Sequence, residues 1–190
     1  MPHSFGAILA TQYAAKYPAV VKAMIYLNGT INIDHSARSG LTKTIEILKS
    51  RGVDAADLEQ DSVPLMKRWG AGFGRLQELG LFHTMMFDSK ENFNYHDSVT
   101  QAIAKYYGFG QAVWNYPAYF QDHGPLTAEI KAPVLVISGT RDYTIGLDHP
   151  KLMRFPHREI KYLPGGHALY MEHTRELYDA VYPFLKKFAR

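Results

Sequence analysis

The chain contains no cysteine among its 190 residues. That excludes disulfides, thiolate nucleophiles and cysteine-ligated zinc, and it fits a reducing cytoplasm, where we expect the protein to reside. No apolar run approaches the ~20 residues of a membrane-spanning helix, and the first residues lack the charged and apolar regions of a signal peptide. Charge of one sign is nowhere concentrated. Lys and Arg number 21 against 18 Asp and Glu, a net charge of +3, and the basic residues are scattered. This argues against nucleic acid or a membrane as partner. The nine histidines include no His-Glu-x-x-His and no tight ligand spacing, so no metal site is expected. The sequence Gly70-Ala71-Gly72-Phe73-Gly74 follows no strand and has the wrong spacing for a dinucleotide fingerprint. It reads as a loop, and no cofactor is expected. There is no internal repeat and no low-complexity segment.

What remains is a globular composition, 46% hydrophobic and 13% aromatic, in a chain long enough for one domain with a core. Residues 5–17 are rich in Ala and Leu and stop before Pro18, which predicts a helix. The nearly continuous apolar run Val20–Leu27, ending at Asn28-Gly29, predicts a strand buried on both faces. Residues 31–130 change character. Helical stretches such as Leu41–Ser50 and Ser98–Tyr107 are broken by Gly and Pro, and Trp69, Phe73, Phe82, Phe87, Trp114, Tyr116, Tyr119 and Phe120 are spread among them. Pro133–Gly139 repeats the buried-strand signature, and Glu159–Leu163 makes a third, shorter strand. Thr174–Arg190 closes the chain as an amphipathic helix with Leu177, Val181, Phe184, Leu185 and Phe188 on one stripe. Strands separated by helices imply an α/β fold with a parallel sheet. The aromatic helical block is then an insertion between two of its strands.

The most informative stretch is Met1-Pro2-His3-Ser4-Phe5-Gly6. A serine in the setting x-His-Ser-x-Gly, followed at once by a helical run, reads as a nucleophile elbow: a sharp strand-to-helix turn that exposes the hydroxyl. Acyl transfer by serine also needs a base and a carboxylate to orient that base. The second strand runs into Ser138-Gly139-Thr140-Arg141-Asp142 and the third into Pro164-Gly165-Gly166-His167. Both Asp142 and His167 therefore fall on loops at the C-terminal ends of parallel strands, where open α/β sheets place their sites. Between them there is room for a short helix, Asp148–Phe155, and one strand. The order Ser4, Asp142, His167 is that of the α/β hydrolases.

On these residues the chain resembles the C-terminal part of a cap-bearing α/β hydrolase, of the kind that includes proline iminopeptidases, small esterases and lactonases. The resemblance runs from the elbow to the final helix. It implies Ser4 as nucleophile, Asp142 as the acid, His167 as general base and then acid, and the Phe5 N–H as half of an oxyanion hole. Residues 1–30 and 131–190 would form the hydrolase core and residues 31–130 the helical cap that shapes the pocket for a small-molecule substrate. The chain departs from the family at Pro2, where a glycine is usual. The family's first strands, and the loop that gives the second oxyanion N–H, have no counterpart in the sequence, and only the last three strands of the sheet are visible.

The same residues admit plainer roles. Ser4 could be a helix N-cap, Asp142 a turn residue and His167 a loop histidine. His3 is expected to pack and His173 to sit at the surface or cap the last helix. Asn28-Gly29-Thr30 matches a glycosylation pattern but lies at a strand end and is discounted. The expected function is a cofactor-independent serine hydrolase that cleaves an ester, lactone or amide through an acyl-enzyme. The alternative is a catalytically silent remnant that acts as a binding or oligomerising module. In either case the Val20–Leu27 strand is expected to expose an unpaired edge, through which the chain could form a homo-oligomer.

Overall fold

The computed structural model describes residues 1–103, 112–113 and 115–188. Trp114, the expected helix beyond residue 103 and the last two positions of the final helix lie outside the described residues. Four parallel strands form one sheet in sequence order: β1 (His3–Ser4), β2 (Met24–Gly29), β3 (Val134–Gly139) and β4 (Arg158–Leu163). The parallel sheet of the expected α/β fold is thus present, with one strand more than the sequence reading made visible.

That additional strand corrects the expected bare edge at the C-terminal end of β2, while Met24, Ile25 and Tyr26 have no partner strand on that side among the described residues. His3 and Ser4 pair with Leu27 and Gly29, and Leu27 N and Thr30 N donate to Pro2 O and Ser4 O. The edge of the sheet is therefore β1. The strand expected over Val20–Leu27 begins only at Met24, because Pro18–Val20 coil into a 3-10 turn and Val20 is exposed. Pro18 fixes φ and removes a donor, which favours that turn over an extended ladder.

β2 and β3 are buried at every position, and alternate residues serve opposite faces. On one face Met24, Tyr26, Val134 and Val136 pack with Ala7 and Ala14 of helix α1 (Gly6–Lys16) and with Met153 and Phe155. On the other, Ile25, Leu27, Leu135 and Ile137 meet Leu177, Ala180 and Phe184 of the last helix. The sheet is covered on both sides, as a parallel sheet requires. Within the last helix Leu185 departs from the expected stripe and is exposed, its place taken by Ala180.

Between β2 and β3 every described element is helical: α2 (Ile33–Ser50), α3 (Leu65–Glu78), α4 (Lys90–Ile103) and α5 (Gly124–Thr127), with 3-10 turns at Ala56–Glu59, Phe82–Met85 and Pro117–Phe120. α2 starts well before the expected Leu41, because the Asn32 side chain caps it by accepting from His35 N. Leu41, Leu48, Leu58, Leu76 and Met85 make a separate apolar cluster. The Gly70–Gly74 stretch, expected as a loop, lies inside α3. Tertiary packing overrides its low helix propensity. A Cβ on Gly72 would stand 2.9 Å from buried Thr44 Cγ2 and 3.4 Å from Leu58 Cδ1, so glycine lets α3 approach α2. The short helix expected over Asp148–Phe155 is a 3-10 turn, His149–Leu152, with proline in its first turn. α6 (Leu169–Glu172) and α7 (Thr174–Phe188) complete the chain.

His149 fastens the start of the insertion to the sheet. It is fully buried, and its Nε2 accepts from Ile31 N at 2.8 Å, so the ring is neutral with its proton on Nδ1. Burial, and then the neighbouring His35, lower its pKa to about 4.

Gly72→Ala is expected to destabilise by about 1 kcal/mol, the overpacking cost exceeding the gain in helix propensity. Gly70→Ala and Gly74→Ala, where a Cβ meets nothing within 4 Å, are expected to stabilise by up to about 1 kcal/mol each. Urea midpoints of the three variants check the contrast. His149 makes stability depend on pH. Because its folded pKa is depressed, the unfolded chain binds the extra proton, and stability present above about pH 6.5 is lost as pH falls toward 4, by about 3 kcal/mol at the limit. Thermal melts from pH 8 to 4 should show that fall, with His149→Gln reducing it and the share due to His3, likewise lowered to about 4 by burial, remaining.

Candidate active site

Ser4 ends β1 and leads into α1 with φ +54°, a left-handed conformation that is uncommon for a residue with a side chain. Its backbone is held there because Ser4 O accepts from Thr30 N, while α1 starts two residues on. Backbone strain at a sharp strand-to-helix turn is what an exposed nucleophile requires. The N-cap of α1 is Phe5 and not Ser4, so the capping role open to the serine does not apply. The close approach at the elbow is made by Gly29, where a Cβ would lie 2.8 Å from Ala7 Cβ. At Gly6 a Cβ would meet nothing within 4 Å. The small residue that tightens this turn is thus on β2, beyond the reach of a local motif.

Asp142 and His167 come together at the C-terminal ends of β3 and β4. His167 Nδ1 donates to Asp142 Oδ2 at 2.7 Å, with Asp142 fully buried and His167 nearly so. Asp142 Oδ1 accepts from the backbone N–H groups of Thr144 and Ile145 at 3.1 and 3.4 Å. A carboxylate out of water needs such donors. The His167 backbone is fixed as well. Its N–H donates to Met86 O at 2.8 Å, and its carbonyl accepts from His3 Nε2 at 3.0 Å and Asn28 Nδ2 at 2.8 Å.

His3 packs as expected, though against His167 itself: the two rings lie 4.5 Å apart, and Tyr170 meets His3 edge-on. Burial, and then the nearby His167, lower the His3 pKa to about 4, so His3 is neutral near pH 7 and donates through Nε2. Ser4 and Phe5 line a cavity of about 170 Å³. Ile33, Trp69, Tyr119 and Ile145 give its apolar walls, and Thr30, Ser36 and Thr144 its hydroxyls. No charged residue lines it among the described residues. His167 is not one of the lining residues, and no hydrogen bond joins Ser4 to His167 among the described residues. The structure therefore unites Asp142 and His167 and sets Ser4 on a cavity, one residue along the chain from the His3–His167 contact.

Three features of this region were not legible in the sequence. Asn28, discounted as a glycosylation site, is fully buried with φ +43° and bonds across three strand ends. The backbone of Met85 and Met86 lies beneath both loops, accepting from Tyr143 N and His167 N. His173, expected at the surface or as a cap of the last helix, donates through Nε2 to Asp88 at 2.6 Å, and Asp88 also pairs with Arg141 at 2.6 Å. That network ties the insertion to the Asp142 loop and to the start of the last helix. Among the described residues no group of His, Asp and Glu could hold a metal ion, and no helix is long and apolar enough to cross a membrane.

Solved structures with this fold include a proline iminopeptidase-related protein from Thermus thermophilus, 19% identical with a TM-score of 0.73, covering 98% of this chain and 62% of that one. An enzyme that degrades N-acyl homoserine lactones is 19% identical with a TM-score of 0.62, over 96% of this chain and 65% of that one. An alpha/beta fold family hydrolase from Bacillus anthracis str. Sterne is 17% identical with a TM-score of 0.61, over 95% and 64% respectively. At such identities the likeness establishes the fold, and the chain spans less than two thirds of each of these relatives. No match was found among curated proteins. The model of the alpha/beta hydrolase family matches residues 3–180, from the elbow through all the strands into the last helix, and the chain belongs to that family.

Proposed function

We propose that the chain carries serine hydrolase chemistry in which Ser4 is the nucleophile, His167 the general base and Asp142 the carboxylate that orients it. The observation that supports this most is the buried Asp142–His167 hydrogen bond beside a serine held at positive φ. In this reading Ser4 Oγ attacks the substrate carbonyl carbon and passes its proton to His167 Nε2. The Nδ1–H bond to Asp142 keeps the ring in the tautomer that can accept it. The Phe5 N–H, at the positive end of α1, stabilises the oxyanion. His167 then protonates the leaving group, and water releases the acyl group from Ser4 by the reverse route. Residues 31–130 serve as the cap over this site, and the cytoplasm is the compartment we assign.

The substrate is an ester, lactone or amide. The cavity at Ser4 favours an uncharged, compact group. Its ~170 Å³ is close to a cavity of about 150 Å³ that accommodates benzene, and its lining offers no carboxylate to an ammonium group. The lactone-degrading and iminopeptidase-related neighbours span both chemistries; the uncharged lining favours the former.

A second reading, an interaction module without turnover, draws on the outer side of α1. Leu9, Tyr13 and Tyr17 form an i, i+4 stripe there, exposed at 50%, 54% and 45%. β1 is the outer strand of the sheet, and homo-oligomers through that edge belong to this reading.

A fluorophosphonate probe is expected to label the wild-type chain at Ser4, and Ser4→Ala and His167→Ala to abolish the acylation burst with p-nitrophenyl esters. Butyrate and hexanoate should be turned over faster than decanoate. Unchanged activity in Ser4→Ala would refute the nucleophile. For the second reading, sedimentation velocity at micromolar concentration should show self-association that Leu9→Glu with Tyr13→Glu removes; a wild-type monomer would dismiss it.

A further inference from the structure

The Asn28 side chain uses every hydrogen-bonding group that its surroundings can engage. Nδ2 donates to Gly166 O at 3.0 Å and to His167 O at 2.8 Å, and Oδ1 accepts from Gly139 N at 2.7 Å. The amide cannot be turned over, because the carbonyl oxygen would then face two carbonyl oxygens. Asn28 is fully buried, so water cannot replace any of these partners. Its φ of +43° is one that asparagine tolerates better than other residues with a side chain.

The three partners sit at the roots of two functional loops. Gly139 ends β3 and opens the turn to Asp142. Gly166 and His167 form the loop after β4. A Cβ on Gly139 would run into the Gly166 carbonyl oxygen, so these loops already touch backbone to backbone. A carboxamide near the end of the inner strand β2 therefore bridges the Asp142 and His167 loops, beside the backbone bonds from Thr140 N to Leu163 O and from Arg141 N to Gly165 O.

We propose that Asn28 is a positioning residue for the hydrolysis argued above: it fixes His167 relative to Asp142 without touching the reacting atoms. The proposal rests on that serine hydrolase reading. Aspartate has the same shape but lacks the two donors, and it would set a carboxylate against two carbonyl oxygens. Serine keeps a single short donor. Neither can hold both loops.

The test uses Asn28→Asp, with Asn28→Ser as the milder variant should the first fail to fold. Three readouts are taken on the full chain: kcat and KM for p-nitrophenyl butyrate, the thermal midpoint, and the downfield proton NMR signal of His167 Nδ1–H. A folded variant is expected to lose on the order of 100-fold in kcat with KM within about threefold, as for ångström-scale misplacement of a catalytic group. The Nδ1–H signal should shift or broaden. A lowered midpoint with kcat within threefold of wild type and an unmoved signal would mean a merely structural role and would overturn the proposal. The NMR readout needs no turnover. If the wild type resists the fluorophosphonate probe yet the variant moves the His167 signal, the hydrolase reading fails and the positioning role stands.

Discussion

Asp142 is wholly enclosed, and a carboxylate in that position is tolerated only because every direction around it supplies a donor. Its Oδ2 takes the His167 Nδ1–H and its Oδ1 takes two backbone N–H groups from its own loop. Removing any one would leave a buried oxygen short of a donor, a cost of about 1–3 kcal/mol. The rest of the site is arranged around that constraint. β3 and β4 end side by side, in register from Val134–Arg158 to Gly139–Leu163, so that their following loops emerge next to each other. Backbone bonds from Thr140 and Arg141 to Leu163 and Gly165 continue the ladder past the strands. The loops that carry Asp142 and His167 are thus extensions of the sheet, with little freedom of their own.

Sequence patterns announced those parts of the molecule whose causes are local. The buried runs of β2 and β3, the Ala-rich α1 and the loop positions of Asp142 and His167 all follow from hydrophobic periodicity, turn residues and strand-end placement. What escaped depended on contacts between distant segments. The glycines at 70, 72 and 74 look like a loop until Thr44 and Leu58 are brought against Gly72. The two-residue β1 is too short for any periodicity and exists only because Leu27 and Thr30 donate to it. Asn28-Gly29-Thr30 fits a surface motif, and its true partners lie more than a hundred residues further on. His173 resembles a capping residue until its partner, Asp88, arrives from the insertion.

Histidines have unequal fates here, decided by solvation. His3 and His149 are driven neutral by burial and act as fixed donors or acceptors to backbone groups. His167, by contrast, keeps a carboxylate on one nitrogen. A neutral His3 against the His167 ring adds no competing positive charge, which a lysine or a protonated imidazole at that place would do.

The insertion has its own apolar cluster, yet its backbone supplies a floor to the site. Met85 O takes the Tyr143 N–H and Met86 O the His167 N–H, and a Cβ on Gly166 would collide with Met86 O. Packing joins the two as well, with Ile8 of α1 set against Ile33 and Tyr119 of the insertion. Local opening of the insertion would therefore disturb both loops. Because main-chain atoms make this link, the side chains at 85 and 86 are free of it. A family of such chains could exchange the residue at 86 and still keep the floor, whereas Met85 is held by the apolar cluster it fills.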